Sequence, residues 1–139
     1  MVNIVLIGHD ELYVRLELAW FERGGDFYTD VLKADLTGTV PGFRFEVLRQ
    51  DLRAEELRRF RNDLSQLHQQ LDGEARLTSL EEWMELKFTG DGRGHISVRG
   101  RLSDPAEQSQ DELTFALDLD QTEIPEIVSQ VDDALQATS

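Results

Sequence analysis

The chain has 139 residues, with 28 acids against 14 lysines and arginines, a net charge of -14 and a pI near 4.5. That length can bury a sizeable core unaided, and 40% hydrophobic with 30% charged residues fits a soluble globular protein, not a disordered one. The charge argues against nucleic acid or an anionic membrane as a direct ligand, and the absence of cysteine excludes disulfides, thiolate zinc sites and cysteine nucleophiles.

Taken in chain order, Val2 to Ile7 reads as a short strand, too short for a signal core. Leu12, Val14, Leu16, Leu18 and Trp20 then alternate with Tyr13, Arg15, Glu17, Ala19 and Phe21, a period of two that predicts a half-buried strand. Gly24-Gly25-Asp26 is a turn by composition. Leu32, Ala34 and Leu36 continue the alternation. After a turn near Val40-Pro41-Gly42, Phe43, Phe45 and Val47 extend it, which places all three aromatic and aliphatic side chains inward.

Asp51 is the expected N-cap of a first helix. Leu57, Phe60, Leu64, Leu67 and Leu71 recur at helical spacing, and Gly73 stands where a C-cap glycine belongs. The helix carries Arg53, Arg58, Arg59 and Arg61. Glu55 and Asp63 lie four residues either side of Arg59, so a solvated face with local ion pairs is expected, not a nucleic-acid helix.

Ala75 to Ser79 predicts a short strand. Met84, Leu86 and Phe88 alternate with Glu85 and Lys87; Ile96, Val98 and Leu102 with Ser97, Arg99 and Arg101; Leu113, Phe115, Leu117 and Leu119 with Thr114, Ala116 and Asp118. Gly90 to Gly94 lies between two strands, so its glycines serve a hairpin and not a phosphate-binding loop. Ser103 to Gln110, polar and containing Pro105, is expected to be a mobile loop. The final helix runs from near Thr122 to Ala137, with Ile124, Ile127, Val128, Val131 and Leu135 as its apolar stripe. Pro125 falls in its first turn, where proline is tolerated.

This order of elements predicts an α+β fold. About seven to eight antiparallel strands, in one curved sheet or two, surround one long central helix and a C-terminal helix. Residues 1–139 form a single domain on this reading, and no internal repeat at solenoid period is evident.

After Arg101 the chain contains no lysine or arginine, yet it places ten carboxylates in its last 38 residues. Such a block attracts cations and basic proteins. Asp118, Asp120, Glu123, Glu126, Asp132 and Asp133 are therefore candidate contact residues. Asp118 and Asp120 share one strand face, and Asp120 also reads as a cap for the helix that follows. Trp83 has the opposite strand parity to Met84, Leu86 and Phe88. It reads either as an exposed contact residue beside Glu81, Glu82 and Glu85, or as core under a covering element. His9, His68 and His95 lack metal-ligand spacing to one another. No catalytic, metal or cofactor motif is present, so neither an enzyme nor a cofactor is expected.

The succession Leu57-x-x-Phe60-x-x-x-Leu64-x-x-Leu67-x-x-x-Leu71-x-Gly73, Met84-Glu85-Leu86-Lys87-Phe88, Gly94-His95-Ile96-Ser97-Val98-Arg99-Gly100, Leu113-Thr114-Phe115 and Asp120-Gln121-Thr122 resembles the WapI-type bacterial immunity proteins. The resemblance runs from about Phe27 to Leu135. It implies a cytoplasmic, non-enzymatic inhibitor that neutralises a cognate toxin by protein–protein contact. The acidic block adds a physical basis: a basic partner such as a nuclease-type toxin domain would be bound and steered electrostatically. The alternatives are an accessory domain acting through protein binding or homodimerisation, and an enzyme with an unrecognised carboxylate site.

Overall fold

A computed structural model of the chain describes residues 2–25, 30–103 and 111–137. Residues 104–110, most of the predicted loop, lie outside them, as does Asp26 of the predicted Gly24-Gly25-Asp26 turn. The elements are β1 (Asn3–His9), β2 (Leu12–Glu22), β3 (Val31–Val40), β4 (Phe43–Arg53), α1 (Ala54–Gln70), β5 (Asp72–Thr78), β6 (Met84–Asp91), β7 (His95–Ser103), β8 (Glu112–Asp120), a 3-10 turn (Gln121–Glu123) and α2 (Ile124–Gln136). The fold is α+β. Among the described residues, eight strands form two antiparallel sheets of four, in the orders β1-β2-β3-β4 and β5-β6-β7-β8.

The chain runs through the same ββββα unit twice, a repeat that the residues alone do not display. Each unit seats a phenylalanine of its last strand over a glycine of its third. Phe45 pairs with Gly38, and Phe115 pairs with Gly100. A Cβ on Gly38 would lie 2.4 Å from the Phe45 ring, and one on Gly100 would lie 2.1 Å from the Phe115 ring. The two rings stack on each other with centroids 4.9 Å apart. The glycines thus make the space in which the two sheets meet. The helices interlock the halves: α1 packs on β5, α2 on β1, and the two helices on each other. Phe60 of α1 meets Phe88 of β6 edge-on at 5.4 Å, a geometry that aromatic pairs favour.

Helix α1 has 17 residues, and its buried stripe is Ala54, Leu57, Phe60, Leu64 and Leu67. Its cap is not Asp51. Strand β4 continues to Arg53, so Asp51 lies within the sheet and accepts a hydrogen bond from Lys33 Nζ. The N-cap position falls at Arg53, whose backbone N–H donates to Glu56 Oε2. At the other end Leu71, with φ 64°, takes the left-handed position expected of Gly73. Pro125 sits in the first turn of α2, as its missing N–H requires.

The inward alternation predicted for Phe43, Phe45 and Val47 ends differently. The register shifts between Ala34 and Leu36, and Leu48 and Arg49 stand opposite Asp35 alone. Arg49 has φ 60°, and its N–H donates to Asp35 Oδ1 at 2.7 Å. This bulge moves the inward face from odd to even positions, so Leu52 becomes fully buried. Phe43, beyond the edge of the core, is 63% exposed.

Trp83 is 0% exposed. Of the two readings left open by its parity, core and not exposed contact holds: Trp83 precedes β6, and Glu82 with φ 60° turns the chain there. The indole enters the core and donates from Nε1 to Asp51 O at 2.9 Å, tying β6's entry to β4. Its backbone carbonyl accepts from Ser103 N at 2.9 Å.

Candidate functional site

Three of the candidate acids come together at one end of the molecule, where β8 runs into α2. Asp120 closes the strand and caps the 3-10 turn: Oδ2 accepts from Thr122 N at 3.0 Å and from Thr122 Oγ1 at 2.7 Å. The Thr122 hydroxyl and amide, with the nearby His95 ring, hold the Asp120 carboxyl below the usual aspartate value. Glu123 completes the box by accepting from Asp120 N at 2.9 Å. Its other carboxylate oxygen lies 3.1 Å from His9 Nδ1. Asp118 points outward from β8 and lies 3.2 Å from His95 Nε2.

Glu126 is one helical turn further on and accepts from Gln130 Nε2 at 3.2 Å. Gln130 in turn accepts from Leu6 N, covering the edge of β1. Asp132 and Asp133 are nine and ten residues beyond Glu123, which places them roughly 15 Å along the helix axis. Asp133 is exposed. Asp132 is not a free charge. Arg61 of α1 grips it bidentately, Nε at 2.8 Å and Nη2 at 3.1 Å. The predicted patch is thus a cluster of Asp118, Asp120 and Glu123, a trail through Glu126 and Asp133, and two members, Asp132 and Trp83, that hold the fold together.

Beside the cluster lies a groove of about 980 Å³ lined by Gly8 to Tyr13, Thr39 to Arg44 and Asp118. Its walls are the β1–β2 and β3–β4 turns. Its lining carries three carboxylates, Asp10, Glu11 and Asp118, and one guanidinium, that of Arg44. Leu12 and Phe43 stand at its mouth, 41% and 63% exposed. The sequence marks the turn at Pro41-Gly42, where proline fixes φ and Gly42 takes φ 85°. It does not reveal that this turn faces Asp118, because that meeting depends on how the two sheets stack. Leu12 and Phe43 were assigned inward by alternation alone, which carries no information at strand ends.

Among the described residues, no group of three or more His, Asp or Glu side chains is placed to hold a metal ion. No described helix is long and apolar enough to cross a membrane.

Comparison with known proteins gives two findings. The chain matches the model of the immunity protein WapI-like family over residues 5–139. The match takes in the first strands, for which the sequence pattern offered no resemblance. No curated protein matches. A similar fold occurs in a chain of the crystal structures of Trypanosoma bruciei MRP1/MRP2, with a TM-score of 0.50 and 14% identity over 96% of this chain and 83% of that one. At that identity the likeness concerns the fold alone.

Proposed function

Because the chain belongs to the immunity protein WapI-like family, we propose that it neutralises a cognate toxin by direct protein–protein contact, without catalysis. The family match over nearly the whole chain carries this reading. The charge distribution supports a basic partner. A net charge of -14 accelerates encounter with a cationic surface and repels phosphate backbones. A toxin domain that acts on nucleic acid needs such a cationic surface, and an acidic inhibitor competes for it. Action in the cytoplasm, where such a toxin would meet its substrate, belongs to the same proposal.

The proposed contact surface comprises Asp118, Asp120, Glu123, Glu126 and Asp133. Asp132 and Trp83 drop out, the first occupied by Arg61 and the second buried. The test is association with the toxin domain encoded in the neighbouring open reading frame. Charge reversal of Asp118, Glu126 and Asp133 together should slow association by about tenfold at low salt, within the range by which steering raises on-rates. An unchanged rate and affinity would show that the partner docks elsewhere.

A further inference from the structure

The groove between the two hairpin turns is the feature that the charge argument leaves unused. Resting on the reading above, we propose that it seats the partner's anchoring segment, an apolar side chain flanked by lysine or arginine. Three observations support that occupant. Leu12 and Phe43 are large apolar side chains left open at the groove mouth. Asp10, Glu11 and Asp118 outnumber the single Arg44, so the lining complements a cation. Asp118 is engaged by His95 at 3.2 Å, on side chains that are both more than half exposed, a contact that a guanidinium can displace or join.

The walls are also built to hold still. Gly8 has φ 87°, and a Cβ there would lie 2.3 Å from Leu12 O, so the β1–β2 turn requires glycine at that point. Asp10 follows with φ 58°. Thr39 Oγ1 donates to Glu11 O at 3.0 Å and ties one hairpin to the other. His9, on the same turn, is fastened to Glu123 at 3.1 Å. A preformed seat of this kind spends little of its binding energy on ordering. The division of labour follows. Acids along α2 speed encounter, while the apolar mouth of the groove determines how long the complex lasts.

The experiment uses the full chain and the toxin domain from the neighbouring open reading frame. Stopped-flow association and surface-based dissociation are measured for the wild type, Phe43→Ala, Leu12→Ala, and a Glu126→Lys/Asp133→Lys double variant. The expected result is dissociation faster by about tenfold or more for Phe43→Ala, as for an interface anchor, with association within about twofold. The α2 double variant should show the converse. Hydrogen exchange on the unmutated complex supplies a readout independent of folding defects: amides in Gly8–Tyr13 and Thr39–Arg44 should be protected. If the wild type binds but neither turn is protected and Phe43→Ala dissociates normally, the groove proposal is overturned while the immunity reading stands. If the wild type fails to bind the toxin domain, the immunity reading itself goes, and the groove proposal with it. If light scattering instead finds a homodimer of the isolated chain that Phe43→Ala dissolves, the occupant is a second copy, and the groove proposal is wrong.

Discussion

Trp83 and Asp132 show how one residue's surroundings decide its role. Both were candidate contact residues, Trp83 as an aromatic anchor and Asp132 for its charge, and both are internal ties. Trp83→Ala should cost about 3–5 kcal/mol, the range for removing a large buried aromatic, and Trp83→Phe should cost less because most of the ring volume stays, although the bond to Asp51 O and part of the packing are lost. Denaturant titration checks both. Asp132→Asn should cost at most about 1 kcal/mol, since the Arg61 pair is partly exposed to water. It should leave toxin binding unchanged, because its charge is already met. A binding defect from Asp132→Asn with no stability loss would return that side chain to the contact surface. The sequence left Trp83 open between core and contact, because the choice depends on where β6 begins, and it did not reveal Asp132's role, which depends on a residue 71 positions earlier.

At the scale of elements, most of the fold was written in alternation and helical spacing. Each predicted strand exists, and α1 and α2 bury most of the stripes their spacing implies. The departures sit where backbone geometry overrides pattern: the bulge at Leu48-Arg49 that reverses the inward face of β4, and the left-handed Leu71 at the end of α1. The repeated ββββα unit was hidden because its key contacts are glycine–phenylalanine pairings across strands, at different spacings in the two halves. Those pairings make a prediction. Gly100→Ala should destabilise by about 1–3 kcal/mol, the usual cost of overpacking, because its methyl would strike a Phe115 ring already stacked on Phe45. Gly38→Ala should behave alike. A thermal melt of Gly100→Ala that overlays the wild type would mean that the Phe115 ring moves aside freely and does not fix how the sheets meet.

For the molecule as a whole, charge bears on stability through a few perturbed carboxyls and, on the proposed function, on encounter with the partner. Among the described residues, three carboxyls are held below their ordinary values: Glu74 chiefly by the Lys87 ammonium, Asp91 by the Arg93 amide, and Asp120 by the Thr122 hydroxyl. Their folded values lie below their unfolded ones. The stability they contribute is therefore complete above the ordinary carboxylate range and lost as pH falls through the folded values. Glu56 has the opposite sign. Burial pushes it above 4.5 despite the Arg53 amide, so it costs stability once pH rises past that point. Glu56→Gln keeps the cap bond to Arg53 N and should remove the loss of stability that sets in as pH rises past the ordinary glutamate range, read from melts on either side of it. A profile identical to the wild type would mean Glu56 titrates as an exposed acid. The acidic excess was fully legible in the sequence. Its arrangement was not, because the described acids of the last 38 residues divide among caps, ion pairs and open surface only once the sheets and helices are assembled.

The most direct test of the central claim is the association rate, as a function of ionic strength, with whatever toxin domain a neighbouring open reading frame encodes. An acidic inhibitor steered onto a basic partner should bind fast at low salt and slow steeply as salt rises, with a shallower dependence after Glu126→Lys/Asp133→Lys. A rate insensitive to salt, or unaffected by those reversals, would contradict it.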